Sequence, residues 1–177
     1  LWIDIGLASR DEVEKLVSIG DPIVYDIGFR RLNDKVATSR GFDDKVGAFA
    51  VVEALRLLRD KDIAAAVYSV ATVQEEIGIR GARTSAYSIA PDVGIAVDVT
   101  HATDSPEINV KRDGSIKLGK GPVILRGANA NPKVVDLLIE SAKEEKIPFQ
   151  IEANAYGTGT DANAIQINLG GVATGLV

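Results

Sequence analysis

Cysteine and methionine are both missing from this 177-residue sequence, and histidine and tryptophan occur once each. Without thiols there is neither a disulfide framework nor a thiolate-held zinc, so any metal must be bound through oxygen or imidazole. A reducing, cytoplasmic setting agrees with that composition. No apolar run reaches the roughly 18 residues of a membrane helix, and no charged stretch followed by an apolar core opens the sequence. No membrane partner is expected. Basic blocks are also lacking: 20 Lys and Arg stand against 25 Asp and Glu, for a formal net charge of −5. A nucleic-acid footprint is therefore not expected. There is no GxxxxGK[ST] loop and no internal repeat, and the glycine-rich "GTGTDANA" lacks dinucleotide-binding spacing. The sequence opens in strand-like "LWIDIG" and stops in apolar "GGVATGLV", so it reads as a piece of a longer protein.

What is present suffices for one sizeable core. "SRDEVEKLVSI" carries Ser9 three residues before Glu12, the spacing of a capping box, and reads as a short amphipathic helix. "GDPIVYDIGF" reads as extended, and "RRLNDKVATSR" as a hairpin or loop. After these β-rich pieces, "VGAFAVVEALRLLR" (46–59) is apolar on nearly every side and is expected to be a largely buried helix. "IAAAVYSVATV" (63–73) and "DVGIAVDVT" (92–100) read as strands covered on both faces. "GARTSAYSIAP" between them reads as a helix, which gives a crossover and a parallel pairing. "NPKVVDLLIESAKEEKI" is an amphipathic helix, followed by a "PFQIEA" strand and the apolar pair "AIQINL" and "VATGLV". Alternation of this kind makes an α/β fold, a three-layer sandwich with a mixed, largely parallel sheet.

Acidic residues gather at the element boundaries. Glu75 and Glu76 follow the 63–73 run, Asp98 closes "VGIAV", and Asp43 and Asp44 precede the 46–59 helix. In open α/β sheets, ligands collect beyond the carboxyl ends of the strands. Each feature has a plain alternative: solvated loop acids for Glu75 and Glu76, helix capping for Asp43 and Asp44. Asp98 is harder to explain away, because a carboxylate at the end of an apolar strand needs a partner. Side-chain alternation relaxes where a strand gives way to a turn, so adjacent glutamates can serve one site differently.

"GFDDKVG", "VQEEIGIRGA", "AVDVTHATD", "LGKGPVI" and "GTGTDANAIQ", in this order and spacing, resemble the M42 metallo-aminopeptidases, also called TET or tetrahedral aminopeptidases. These are co-catalytic di-zinc exopeptidases. "IDIG" and "GDPIV" resemble part of that family's β-rich insert, which implies a dimerisation-type domain over residues 1–37 and an incomplete catalytic domain over 38–177. By position, the resemblance makes Asp43 a bridging metal ligand, joined to Asp44 by a cis peptide, and makes Glu76 and Asp98 terminal ligands. It makes Glu75 the general base, with Asp44 supporting the ligands from behind. Gly159, Thr160 and Asp161 are expected near the substrate, although a tight glycine-rich turn is the alternative. Lys45 stands where the family more often has Arg.

The implied cofactors are two divalent ions, Zn2+ or Co2+; the implied substrates are short peptides with a free N-terminus, and the implied assembly is a homo-oligomer, a hollow dodecamer. Two histidine ligands of the family have no match here. His101 matches neither and reads as a loop or supporting residue. Both ligands are expected outside this sequence, and the 177 residues alone are expected to bind metal weakly and to be inactive. The rival readings are glycoside hydrolysis by paired carboxylates and a non-catalytic assembly module. Only one Trp and four Tyr are available for a sugar platform.

Overall fold

Ser9 starts the first helix as its spacing predicts: its hydroxyl accepts from the Glu12 amide and meets the Glu12 carboxylate at 3.0 Å. In this computed structural model, which describes residues 2–177, that helix is a single turn, α1 (Arg10–Val13). A short antiparallel hairpin follows, β1 (Arg30–Arg31) with β2 (Ala37–Thr38), Arg30 lying opposite Thr38. Its turn is closed by the Asn33 side chain, which accepts from the amides of Lys35 and Val36 at 2.9 and 3.0 Å, the usual service of Asn in a turn. These pieces belong to a unit that ends at Arg40; a second runs from Gly41 to Val177.

The second unit contains α2 (Phe42–Leu58), α3 (Arg80–Ile89), β3 (Val93–Ala96), α4 (Val110–Asp113), β4 (Val123–Gly127), α5 (Pro132–Glu144), β5 (Gln150–Asn154), α6 (Asp161–Gln166) and β6 (Ala173–Leu176). β3 pairs in parallel with β6 and β4 in parallel with β5, while β4 lies beside β6. The layering can be read from β6. A Cβ on Gly175 would come within 2.8 Å of Val134 and 3.0 Å of Leu138, both on α5. Its neighbour Leu176 points the other way and packs with Ala96, Leu125, Ala162 and Ile165, the last two from α6. Helix, sheet and helix thus form three layers, as expected for parallel strands covered on both faces. α5 begins at Asn131, whose side chain accepts from the Lys133 and Val134 amides, with Pro132 in the first helical position.

Two expectations fail together. The helix over 46–59 was to be largely buried, yet in α2 only Gly47 is buried, and Val46, Phe49, Val52 and Leu57 are each more than half exposed. The run 63–73 was to be a covered strand; it makes no ladder, and β3 takes β6 as its parallel partner instead. A covered strand needs hydrogen-bonding neighbours and an all-round apolar helix needs a sheet to lie on. Among the described residues neither is supplied. "LWIDIG" and "GDPIVYDIGF" likewise form no ladder among the described residues. Of the final apolar pair, "VATGLV" contains β6, while "AIQINL" completes α6 and a turn.

Candidate active site

α2 is interrupted at its start. Asp43 and Asp44 are joined by a cis peptide and have non-helical backbone angles, so the regular helix begins after them. The Asp44 carboxylate accepts from the Gly47 amide at 2.8 Å, which satisfies one of the unpaired N–H groups of a helix N-terminus. Gly47 makes this possible, because any Cβ there would collide with the Asp44 carboxylate. Asp44 therefore does the capping, and Asp43 stands exposed in front of it.

Residues 72–81 form a tight turn between the extended run and α3. Gln74 and Ile79 both have left-handed backbones, with φ of +58° and +56°. Such conformations are uncommon outside glycine and especially so for a β-branched residue. They are held by hydrogen bonds across the turn: the Gly81 amide to the Val73 carbonyl and the Ile79 amide to the Glu75 carbonyl, each 2.8 Å. Gly81 lies so close to this backbone that a Cβ would strike Val73. The left-handed Gln74 turns the extended backbone immediately before the two acids. Glu75 is half-buried and Glu76 exposed.

Asp98 follows β3, its amide donating to the Val177 carbonyl at 3.0 Å, and its carboxylate accepts from the Val99 amide at 2.8 Å. Asp161 opens α6, and its carboxylate accepts from the Thr72 hydroxyl at 2.6 Å. The other oxygen of Asp161, Oδ1, is buried without a hydrogen-bond partner among the described residues.

The charges of these segments act on one another. Burial pushes the Glu75 carboxyl above its ordinary range, and the charges of Asp98, Asp161, Glu76 and Asp43 push it further. Asp98 is raised by burial and by Asp44, Asp43 and Asp161, against the Val99 amide, which lowers it. Asp44 is raised by burial, by Asp43 and by Asp161, against the Gly47 amide. Among the described residues no lysine or arginine offsets any of the three. The charges of Asp43, Asp44, Glu76 and Asp98 each act on at least one of the raised carboxyls, and Asp161, expected only in a substrate loop, acts on all three.

The sequence pattern of the M42 glutamyl aminopeptidases matches residues 1–177. The chain belongs to the M42 aminopeptidase family. It is 43% identical over 176 residues to the lysyl aminopeptidase of Pyrococcus furiosus, a match covering 99% of this chain and 49% of that protein. Its fold is similar to that of aminopeptidase APDkam598 from the archaeon Desulfurococcus kamchatkensis, with a TM-score of 0.88 and 42% identity, covering 98% of this chain and 49% of that one. It is similar also to the Pyrococcus horikoshii TET1 peptidase, described as assembling into a tetrahedron or a large octahedral shell, with a TM-score of 0.78, 34% identity, and coverage of 98% and 50%. The chain spans about half the length of the relatives it matches.

M42 aminopeptidases are generally metal-dependent, and the acidic residues here are the candidates to hold a metal. The donor chemistry fits: hard carboxylate oxygens, uncompensated negative charge, and an orphaned buried oxygen on Asp161. The set is incomplete, since among the described residues no three His, Cys, Asp or Glu side chains come together closely enough to hold an ion. His101 is exposed on the loop after β3. Gly159 and Thr160 lie in the loop before α6, which hangs on a residue that the sequence reading missed. Asn129 is fully buried, accepts from the Thr158 amide at 2.7 Å and donates to Asn163 at 3.0 Å. Neither Asn129 nor Thr72 carries a sequence signal, because an isolated polar residue shows its partner only in the fold.

Proposed function

We propose that these acidic residues form the catalytic face of a co-catalytic di-metal aminopeptidase that removes the N-terminal residue from short peptides. The observation that supports the reading is that Asp43, Glu76 and Asp98, from three separate segments, all act by their charge on Glu75, the half-buried carboxylate of its acidic pair. Asp43, Glu76 and Asp98 would hold two divalent ions, zinc or cobalt, with imidazole ligands that this chain does not supply. Such ions provide Lewis acidity toward a carbonyl oxygen and acidify a bound water. Asp44, fixed by Gly47, holds the backbone from which Asp43 projects. Glu75 takes the proton of the attacking water and returns it to the leaving amine. Its half-buried position supports that role, because desolvation, the largest cause of its raised pKa, makes a carboxylate a stronger base. Gly159 and Thr160 would lie near the peptide, with Asp161 behind them, one of its oxygens on Thr72 and the other buried.

The unit ending at Arg40 is then part of the β-rich insert domain. The shells described for TET1 support a homo-oligomer here, and the composition agrees with a cytoplasmic enzyme. The test is hydrolysis of an aminoacyl p-nitroanilide by the full-length protein. Chelation with phenanthroline should abolish release of nitroaniline, and Zn2+ or Co2+ should restore it. Chelator-insensitive cleavage, or cleavage of carboxymethylcellulose instead, would transfer the carboxylates to glycoside chemistry. Bound metal without turnover of either substrate would leave an assembly module.

A further inference from the structure

Among the described residues the extended run that leads to Glu75 has no strand neighbour, so its position must come from elsewhere. Residues 62–73 make no ladder, and Val73 and Gln74 are exposed. Two ties reach the end of the run: the Gly81 amide on the Val73 carbonyl, which is local, and the Thr72 hydroxyl on the Asp161 carboxylate at 2.6 Å, across 89 residues of sequence. The far end of the second tie is firm. Asp161 opens α6, whose Ala162 is fully buried and packs in the core. The loop before it is fastened by the fully buried Asn129, through the Thr158 amide and Asn163. The Thr158 and Thr160 hydroxyls close the same loop at 2.8 Å. Among the described residues, the Asp161 carboxylate thus makes the one long-range side-chain hydrogen bond to residues 62–73, at Thr72, three residues before the proposed base.

We propose that Asp161 is a positioning residue: by gripping Thr72 it sets where Glu75 stands against the peptide bond to be cut. The grip also explains how Asp161 stands in a loop expected to touch substrate while spending one oxygen on the protein itself. A base must sit within hydrogen-bond reach of its proton, and small displacements in such a site cost large factors in rate. The assignment rests on the aminopeptidase reading for its kinetic test alone.

In the full-length enzyme, Thr72→Val and Asp161→Ala should each lower kcat by about 10–100-fold, as misplacement of a catalytic group does, with KM little changed in both and metal content little changed in Thr72→Val, which leaves every carboxylate in place. The double variant should be no worse than the poorer single variant, because both remove one hydrogen bond. Thr72→Ser, which keeps the hydroxyl, should recover most of the loss. Amide hydrogen exchange over residues 73–81 should quicken in Thr72→Val and Asp161→Ala while β4 and β5 remain protected. Multiplicative losses in the double variant, a rise in KM at unchanged kcat, or unaltered exchange over 73–81 would each overturn the proposal. If the wild-type protein shows no chelator-sensitive aminopeptidase activity, the functional reading falls. The exchange experiment still decides whether Asp161 holds the turn.

Discussion

Gly47 and Asp44 compete for the same space, and that competition isolates a site effect from a stability effect. In Gly47→Ala the new methyl must displace the Asp44 carboxylate from the helix N-terminus. The lost cap costs about 1 kcal/mol, and alanine in place of glycine inside a helix returns about the same. We predict a melting temperature close to wild type with a strongly reduced kcat in the full-length enzyme, read by calorimetry beside a nitroanilide assay. The individual acids stood out in the sequence because each closes or opens an element, although capping and solvation also place charges there. Their alternative as helix caps also proved half correct: Asp44 caps and Asp43 does not. What the sequence could not display was the second tier. Thr72 and Asn129 are ordinary polar residues whose partners lie far along the chain, Asp161 for one and Asn163 for the other.

At the scale of elements, the parallel core depends on close backbone approach at the ends of its strands. Gly127 ends β4 with φ of +144°, and a Cβ there would land on the carbonyl of Asn154, its register partner in β5. Gly127→Ala combines a disfavoured backbone with a clash that no side chain can relieve. A loss of more than about 3 kcal/mol is expected, seen as a lower denaturant midpoint at unchanged slope. Element type could be read from the sequence wherever local chemistry dictates it. Ser9 and Asn131 start their helices, Asn33 closes its turn, and the run before Asp98 is β3. Partner choice could not be read that way. "IAAAVYSVATV" has the composition of a covered strand and "VGAFAVVEALRLLR" that of a buried helix, but composition states what a segment needs and not whether a neighbour provides it. The exposed Phe49 and Val52 of α2 are the result.

At the scale of the whole molecule, the M42 relatives carry about as much polypeptide again outside the region matched here. Two consequences can be measured on the full-length protein. Light scattering should report a closed homo-oligomer of many subunits, as described for TET1; a monomer would remove the assembly proposal while leaving the catalytic one intact. Metal analysis of the 177-residue chain alone should show weaker binding than the full-length protein, because no three ligand side chains gather among its described residues. The most direct test of the central claim, that adjacent glutamates divide the work of base and ligand, is Glu75→Gln in the full-length enzyme with turnover and metal content measured on the same sample. Turnover should fall to background while metal content stays at the wild-type level. Appreciable residual activity, or loss of metal along with activity, would contradict the assignment of Glu75 as the base that stays off the metal.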